Sequence, residues 1–344
     1  MQIRNLAYDY DILKSRKFKI PVISVGNLTV GGSGKSPMAE YLILLLKDSY
    51  KVATLSRGYG RKTTGFVEVT MNSTSNEVGD EPRQFKQKFP EINVAVCENR
   101  IEGIKNLNWV NELIILDDAF QHRSVKPGLS ILLYDYTSLF KLQLFLPTGN
   151  LREPASGRKR ADIIVVTKAP TSIDSAQREK IISRIKPFAH QKVFLSFLVY
   201  KQLRCFENET VVRDLKSIKP QTQVLLLTGI ANPTPLVNEL KQYSSNILHH
   251  NYSDHHNFSI ENITRLVAAF NSIGHDDKII ITTEKDIQRL KSRALKAILK
   301  GIPLYFLPVE IKIHTPDEEA FNTLINNYVT KYSANYRIHK AKNR

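Results

Sequence analysis

The feature that most constrains the fold of this chain is a series of short apolar runs, most of them continuous, that alternate with helical patterns. The runs lie at residues 20–25, 52–55, 94–97, 113–116, 131–133 and 163–166. Strands covered by helices on both faces have continuous runs rich in valine and isoleucine, whereas half-exposed strands alternate. Helical patterns at 36–46, 81–88 and 99–107 separate the runs. This half of the sequence predicts an α/β fold with a mostly parallel sheet covered by helices.

The pattern changes near residue 192 and then resumes. Residues 192–200 and 202–212 are two extended segments around Glu207-Asn208-Glu209, which predicts a two-stranded connection. Strands are predicted again at 224–228, 278–283 and 304–309. A chain of 344 residues is long enough for two domains with separate cores. We predict a first domain at 1–195, a linker at 196–218, a smaller α/β domain at 219–335 and a basic tail at 336–344.

The charge balance limits the classes of partner. The chain carries 49 Lys+Arg against 33 Asp+Glu, a formal net charge of +16. This excess predicts an anionic partner, namely nucleic acid, a phosphorylated small molecule or an acidic membrane face. The two cysteines, Cys97 and Cys205, exclude a disulfide framework and a zinc site with several cysteines. No apolar run approaches the roughly 18–20 residues that span a bilayer, so a soluble protein of the reducing cytosol is expected.

A glycine-rich loop predicts a nucleotide site. Gly31-Gly32-Ser33-Gly34-Lys35-Ser36 follows the apolar run 20–25, and Pro37 is suited to the first turn of a helix. Backbone N–H groups of such a loop surround phosphate oxygens, the lysine reaches the β- and γ-phosphates, and the serine hydroxyl ligates Mg²⁺. Thr29 stands where the first glycine of the common pattern belongs. The predicted ATP-binding residues are Thr29, Val30, Gly31, Gly32, Ser33, Gly34, Lys35 and Ser36.

Two carboxylates follow another predicted strand. Asp117 and Asp118 come directly after the apolar run 113–116, so they are predicted at the carboxyl edge of the sheet, beside the phosphate loop. Nucleotide sites of this type hold Mg²⁺ with an acidic residue at a strand end. Ser36, Asp117 and Asp118 are therefore candidate metal ligands, and Lys35 and Asp118 are candidate catalytic residues.

Further polar segments follow the predicted strands. They are Ser56-Arg57-Gly58-Tyr59-Gly60-Arg61, Gly79-Asp80-Glu81-Pro82, Ala119-Phe120-Gln121-His122-Arg123 and Leu151-Arg152-Glu153-Pro154. So many charged loops on one sheet suggest a site wider than a nucleotide alone. Arginines of these loops can meet phosphates on both the nucleotide and an acceptor.

Taken in order, these motifs resemble those of the tetraacyldisaccharide 4′-kinases, the lipid A 4′-kinases. The resemblance runs from about residue 3 to residue 330 and includes residues 20–27, Asp254-His255-His256-Asn257-Phe258 and Thr282-Thr283-Glu284-Lys285-Asp286. It implies transfer of the γ-phosphate of ATP to the 4′-hydroxyl of a tetraacylated glucosamine disaccharide 1-phosphate, which gives lipid IVA. It also implies a location at the cytoplasmic face of the inner membrane of Gram-negative bacteria.

The resemblance implies roles for individual side chains. Asp80 would take the proton of the sugar hydroxyl, with His255 from the second domain as its partner. Glu153 would be a metal-shell carboxylate and Arg152 a clamp on phosphate charge. The candidate acceptor contacts are Arg57, Tyr59, Arg61, Gln121 and Arg123. From its position alone, Asp80 is equally a candidate N-cap for the helix at 81–88, and His256 is an alternative to His255.

The lipid acceptor implies contact with a membrane surface. Residues 1–62 carry eleven Lys+Arg against four Asp+Glu, which predicts peripheral, salt-sensitive association with anionic lipid. Members of the resembled family commonly begin with an apolar membrane-facing helix, and residues 4–12 match the segment expected to follow it. We therefore expect that helix to be short here or to lie outside this sequence. The enzyme is expected to act as a monomer without nucleic acid.

Two alternatives belong to other functional classes. One is a P-loop GTPase or ATPase switch, or a metallochaperone-type protein, without a lipid acceptor. Thr167-Lys168 resembles part of a base-reading motif, but Pro170 stands where that motif has aspartate. The other is a nucleic-acid-binding module, which the charge alone suggests, without interleaved aromatic residues or a helix-turn-helix pattern.

Overall fold

The computed structural model describes the backbone of residues 2–342 and the side chains of residues 3–333. The chain begins with α1 (Gln2–Asp9), β1 (Val22–Asn27), α2 (Lys35–Leu46), β2 (Val52–Ser56), β3 (Val67–Glu68), α3 (Ser75–Val78), α4 (Asp80–Lys88), β4 (Asn93–Val96), α5 (Arg100–Leu107), β5 (Leu113–Asp117), β6 (Leu129–Asp135), α6 (Tyr136–Leu139), β7 (Ile163–Thr167), α7 (Ser175–Ile185) and β8 (Lys192–Tyr200). A 3₁₀ turn (Ala155–Arg160) precedes β7.

The second half continues with ten further elements and then two that return to the first sheet. The ten are β9 (Leu203–Cys205), β10 (Val212–Arg213), β11 (Gln223–Thr228), α8 (Thr234–Leu240), β12 (Asn246–Asn251), α9 (Ile260–Ser272), β13 (Lys278–Thr283), α10 (Asp286–Leu290), α11 (Arg293–Leu299) and β14 (Leu304–Leu307). The returning elements are β15 (Val309–Ile313) and α12 (Thr315–Lys342).

The larger sheet confirms the predicted α/β fold. Its nine strands have the order β15-β8-β7-β6-β1-β5-β2-β4-β3. The seven strands from β8 along the sheet to β4 are parallel to one another, and the edge strands β15 and β3 run antiparallel to their neighbours. Every residue of β1, β2, β5 and β7 is buried, which explains why these runs are continuous. Val25 pairs with Asp117, so the carboxyl ends of β1 and β5 meet at one edge.

The smaller sheet has six strands in the order β10-β9-β14-β13-β11-β12. Its four strands from β14 to β12 are parallel, and the hairpin β9–β10 adds to the edge in the antiparallel sense. The edge strand β12 was not predicted, because its sequence, Asn246–Asn251, is polar and none of its residues is fully buried.

The segment predicted as a two-stranded linker is divided between the two sheets, which is a correction. Strand β8 (Lys192–Tyr200) pairs with β7 and β15 in the larger sheet, whereas β9 and β10 belong to the smaller sheet. Likewise, Pro308 interrupts the run predicted at 304–309, so β14 and β15 lie in different sheets. The chain passes between the sheets at 201–202 and again at 308, where Lys201 N–H donates to the Pro308 carbonyl at 3.0 Å.

The C-terminal segment belongs to the larger unit, which corrects the predicted domain end at 335. Phe321, Ile325 and Val329 recur at helical spacing on α12 and are fully buried in the core of the larger unit. Tyr41 of α2 packs edge-on against Phe321 with ring centroids 5.7 Å apart. The smaller unit therefore comprises about residues 203–307. The predicted tail at 336–344 continues α12 as far as 342, and its last two residues lie outside the described residues.

No helix within residues 2–342 is both long and apolar enough to cross a membrane.

Candidate active site

The glycine-rich loop joins β1 to α2 as predicted. Gly31 and Gly34 have φ angles of 101° and 82°, a region that glycine enters without steric cost. Gly34 caps α2 without a side-chain hydrogen bond, which leaves the first N–H groups of this 12-residue helix to an anion. The Oγ1 of Thr167 donates to the Ser33 carbonyl at 2.8 Å, so the end of β7 holds the loop from outside.

Lys168 is also part of this support. Its Nζ donates to the Gly32 carbonyl and lies 2.8 Å from Oδ2 of Asp135. The lysine that resembled a base-reading residue is thus engaged with the loop backbone, which leaves the GTPase-type alternative without that residue.

The two predicted metal carboxylates lie beside the loop in different environments. Oδ1 of Asp118 lies 3.7 Å from Nζ of Lys35. Asp117 is fully buried, and its Oδ1 has no hydrogen-bond partner among the described residues. Burial, together with the charges of Asp118 and Glu81, raises the pKa of Asp117 to about 7. A buried carboxylate oxygen without a partner, next to a phosphate loop, fits a divalent cation that would supply the missing charge.

Arg152 pairs with Asp118 as a clamp. Its Nη1 lies 2.9 and 3.0 Å from the two carboxylate oxygens of Asp118, and 3.4 Å from Oε1 of Gln121. Burial raises the pKa of Asp118, but Lys35 and Arg152 outweigh it and hold that pKa below its usual value. Asp118 is therefore ionised at neutral pH and balanced by two cations.

Glu153 is already saturated by protein donors. Arg160 Nη2 lies 2.8 Å from both of its oxygens, while Gln121 Nε2 donates at 2.9 Å and Asn5 Nδ2 at 3.1 Å. A Cβ on Gly157 would lie 2.9 Å from Oε2, so the carboxylate has little room to move. In this arrangement Glu153 orients Gln121 and Arg160, and its role toward a metal stays a prediction.

The smaller unit contacts the larger unit at the start of α4. Nδ1 of His255 lies 3.2 Å from Oδ2 of Asp80, and Tyr59 packs on the imidazole with ring centroids 4.6 Å apart. His256 faces another way: its Nε2 lies 2.9 Å from Oδ1 of Asn262. Of the two histidines considered from the sequence, His255 is the one that reaches Asp80.

Asp80 and Glu81 are each matched by a cation from the smaller unit. Arg289 Nη2 lies 2.7 Å from Oδ2 of Asp80, and Lys285 Nζ lies 2.9 Å from Oε1 of Glu81. Ligand atoms of Asp80, Glu81 and His255 lie within 4.8 Å of one another. A metal ion there would have to displace the two cations, so this cluster is better described as an ion-pair network between the two units.

Two of the arginines predicted to contact the acceptor have structural roles. The Arg61 side chain is 3% exposed and pairs with Glu98 at 2.5 Å, and it also donates to the Gly65 carbonyl at 2.7 Å. Arg123 pairs with Asp9 at 2.8 Å and donates to the Asn5 carbonyl at 2.6 Å. Arg61 therefore shapes its own loop and Arg123 anchors α1, and a contact of either arginine with the acceptor stays a prediction.

Three arginines lie around His122. Arg57 is exposed. Burial, together with the charges of Arg100, Arg4 and Arg57, lowers the pKa of His122 to about 4, so this imidazole is uncharged at neutral pH. Burial also lowers the pKa of Arg100 to about 10, against the attraction of Asp117 and Asp118. The sequence predicted Arg57 as an acceptor contact, whereas Arg4 and Arg100 were not predicted, and together these three arginines form a candidate anion-binding region.

A cleft of about 460 Å³ opens beside the phosphate loop. Its walls come from both units and include Val30, Gly31, Asn150, Ile230, Ala231 and Tyr252. A cleft of this size, directly next to the loop, has room for the nucleoside part of a nucleotide.

Comparison with known proteins agrees with this geometry. The family model of tetraacyldisaccharide-1-P 4′-kinase matches residues 1–330. The chain is 42% identical to a tetraacyldisaccharide 4′-kinase of Phocaeicola vulgatus over 97% of this chain and 92% of the relative. It is 44% identical to one of Flavobacterium johnsoniae over 90% of this chain and 87% of the relative. A crystal structure of LpxK from Aquifex aeolicus in complex with ATP matches with a TM-score of 0.70, 29% identity and coverage of 95% and 94% of the two chains.

Proposed function

Since this chain belongs to the tetraacyldisaccharide-1-P 4′-kinase family, we propose that the residues around its cleft transfer the γ-phosphate of ATP to the 4′-hydroxyl of a tetraacylated disaccharide 1-phosphate. The main support for the proposal is that two groups of functional side chains lie close together. Lys35, Asp118 and Arg152 surround the phosphate loop, and Asp80 with His255 faces them across the two units. The charge of Glu81 raises the pKa of Asp117, which supports the closeness of the two groups.

The phosphate loop and its neighbours bind ATP and the metal. Backbone N–H groups at the start of α2 and the ammonium of Lys35 bind the β- and γ-phosphate oxygens. Ser36, Asp117 and Asp118 would hold Mg²⁺, and the unpartnered Oδ1 of Asp117 supports this assignment. When bound, Mg²⁺ would supply positive charge that offsets the negative charge of the phosphate oxygens. Arg152 orients Asp118 and lies where it can clamp the transferred phosphoryl group.

Asp80 accepts the proton of the attacking hydroxyl. Its contacts with His255 and Arg289 all go to Oδ2, which leaves Oδ1 for the acceptor. Phosphoryl transfer requires mainly positioning and charge neutralisation, so a carboxylate that orients the hydroxyl and takes its proton late in the reaction is sufficient. Tyr59, which is 67% exposed and packed on His255, is placed to contact the sugar.

The arginines around His122 are suited to the phosphate that the acceptor already carries. Arg100 lies near the aspartates and Arg57 lies near Arg100, whereas His122 beside them is neutral at pH 7. Arg4 lies on α1 and donates a hydrogen bond of 2.8 Å to the Gln121 carbonyl. Arginine binds phosphate with two parallel hydrogen bonds and remains charged when partly buried. This region would therefore hold the 1-phosphate while the 4′-hydroxyl points to ATP.

Exposed apolar side chains mark the surface that would meet the lipid. Phe140, Leu142, Leu144, Phe145 and Leu146 form a membrane loop, residues 140–146, and are each at least 40% exposed. On α1 and the residues after it, Ile3, Leu6, Tyr10 and Ile12 are exposed as well. The loop leads directly into the phosphate site, since Val30 N–H donates to the Asn150 carbonyl at 2.8 Å. Together with the basic N-terminal region, this supports peripheral binding to anionic lipid at the cytoplasmic face of the inner membrane.

The test is 4′-phosphorylation of the tetraacylated disaccharide 1-phosphate with Mg·ATP, followed by the appearance of a second phosphate on the lipid. Lys35→Ala and Asp80→Asn should each lower turnover by on the order of 100-fold or more. Glu81→Gln is the matched control, because it alters the neighbouring carboxylate, and it should cost much less than Asp80→Asn. Disaccharide-independent ATP hydrolysis without lipid product would reject the function, and the reverse order of the two carboxylate variants would reject Asp80 as base.

A further inference from the structure

Arg289, on α10 of the smaller unit, contacts both sides of the Asp80–His255 pair. Its Nε lies 2.8 Å and its Nη2 2.7 Å from Oδ2 of Asp80. Its Nη1 donates to the carbonyl oxygens of Gly229 at 3.1 Å and His256 at 3.3 Å. The Gly229 carbonyl also accepts the backbone N–H of His255 at 3.0 Å. One guanidinium thus fixes the carboxylate and the backbone that carries the imidazole.

The arginine is itself held rigidly. Its side chain is 3% exposed, and Nη1 lies 3.0 Å from Oδ1 of Asp286 on the same helix. Oδ2 of Asp286 in turn accepts the Gly229 N–H at 3.0 Å and the Thr283 hydroxyl at 2.7 Å. A buried, planar group with this many fixed partners loses little further freedom when the site works.

The backbone at His255 needs such support. Its φ angle is 58°, in the left-handed region that non-glycine residues seldom occupy and that costs about 1–3 kcal/mol when it is imposed. The hydrogen bond to Gly229 and the contacts of Arg289 with Gly229 and His256 surround this residue on both sides. The strained conformation is what turns the imidazole toward Asp80.

We propose that Arg289 is a positioning residue of the phosphoryl transfer, which locks Asp80 and His255 together across the two units and leaves Oδ1 of Asp80 facing the acceptor hydroxyl. The proposal rests on the proposed function of Asp80 as base. It goes beyond that function because Arg289 binds only protein groups among the described residues and acts through Asp80 and His255.

The charge of Arg289 gives the proposal a signature that a merely structural residue lacks. The charged or titratable groups that face Asp80 are Arg289, Lys285 and His255 from the smaller unit, and Glu81 and Arg83 on its own helix. Burial raises the pKa of Asp80, but His255 and Arg289 outweigh it and lower the value to about 2. Without Arg289 the effect of burial remains, so the pKa of Asp80 rises and the base becomes protonated at a higher pH.

The experiment compares Arg289→Met, Arg289→Lys and a control, using the full chain and the lipid kinase assay between pH 3 and 8.5. Lys291→Met is the control, because Nζ of Lys291 bridges the same interface to Gln87 at 2.5 Å and Glu209 at 2.7 Å. Arg289→Met should lower kcat by on the order of 10- to 100-fold while the KM for ATP stays within about twofold. The acid limb of its kcat/KM profile should move upward from the value near pH 2 expected for the unmodified enzyme into the assayed range.

The other variants decide between positioning and simple stabilisation. Arg289→Lys keeps the charge but loses the fork, so it should keep the pH profile of the unmodified enzyme and recover part of the turnover. Lys291→Met should change neither the pH profile nor the turnover. If Arg289→Met does not fold, the Lys variant still tests the proposal, since unchanged kcat there would overturn the requirement for the fork. Loss of kcat in Arg289→Met with an unshifted acid limb would also overturn it.

A double variant separates this inference from the proposed function. Because Arg289 acts through Asp80, Arg289→Met should slow Asp80→Asn by no more than about twofold, and a fully additive loss would contradict the mechanism. An unmodified enzyme that makes no phosphorylated lipid rejects the proposed function. An active enzyme whose Arg289 variants behave like Lys291→Met rejects only the role of Arg289.

Discussion

Replacing Glu40 by glutamine should make the protein more stable at alkaline pH. Glu40 lies on α2, 2% exposed, and its Oε2 lies 2.6 Å from Nζ of Lys88 on α4. The same ammonium lies 3.3 Å from Glu284 of the smaller unit. Gln84 Nε2 donates to Oε1 of Glu40 at 2.7 Å. Two buried carboxylates therefore share one cation where the phosphate-loop helix, α4 and the smaller unit meet.

The sign and size of the expected stability change follow from the excess negative charge around Lys88. Burial, and after it the charge of Glu284, raises the pKa of Glu40 above its ordinary value, and Lys88 offsets this only in part. The folded state then binds more protons than the unfolded state between the ordinary and the raised pKa, so the free energy of unfolding falls as the pH rises through that range. Each pKa unit corresponds to about 1.4 kcal/mol, so a rise of the Glu40 pKa from 4.5 to about 7 predicts a loss of up to about 3 kcal/mol by pH 8.

Glutamine removes this loss and keeps one of the two local contacts. Its carbonyl oxygen can accept from Gln84, whereas its amide nitrogen cannot accept from Lys88, which retains Glu284 as its partner. At pH 8 the Glu40→Gln protein should exceed the unmodified protein by about 1–3 kcal/mol, and at pH 5 the two should agree within about 1 kcal/mol. Urea unfolding followed by far-ultraviolet circular dichroism measures both. Glu261→Gln, at an exposed pair with Arg265, is the control and should show no such pH dependence. Greater destabilisation of Glu40→Gln at pH 8 than at pH 5 would refute the reasoning.

Two further predictions concern the acceptor. Arg57→Ala should raise the KM for the lipid disaccharide by on the order of 10-fold without lowering the melting temperature, whereas Arg61→Ala should destabilise by about 1–3 kcal/mol because it leaves Glu98 without its partner; the opposite pattern in kinetics and thermal melts would reverse the two assignments. Leu142→Ser combined with Phe145→Ser should weaken flotation with anionic vesicles and raise the KM for the lipid, while hydrolysis of ATP alone stays unchanged. Equal flotation of the double variant and the unmodified protein would exclude the membrane loop as a lipid-binding surface.

The phosphate loop and the carboxylates beside it could be predicted because their chemistry is local in the sequence. A strand, a glycine-rich turn and a helix determine the position of Lys35 and Ser36, and parallel strand ends bring Asp117 to the same edge. Arg289 could not be found in this way. It follows Asp286 by three residues on one helix, but its partner Asp80 is 209 positions away, and only the packing of the two units brings them together.

Arg61, Arg123 and the strand β15 show the same limit. Arg61 and Arg123 lie in charged loops after strands, and the sequence does not reveal that they pair with Glu98 and Asp9. The run at 304–309 has the composition of one strand, and the consequence of Pro308 depends on which sheet edge is free to receive β15. Sequence patterns identify elements and their exposed faces, whereas long-range pairing decides which polar groups remain available for chemistry.

The insertion of the smaller unit between β8 and β15 has a consequence for how the protein is made. On the ribosome, strands β1 to β8 emerge long before residues 309–342 that complete their sheet and cover α2. Until then the edge of β8 and the apolar surface beside Tyr41 have no cover, since Phe321 has not been synthesised. The larger sheet and the apolar cover of α2 are thus completed only after the unit that carries His255 and Arg289 has been synthesised.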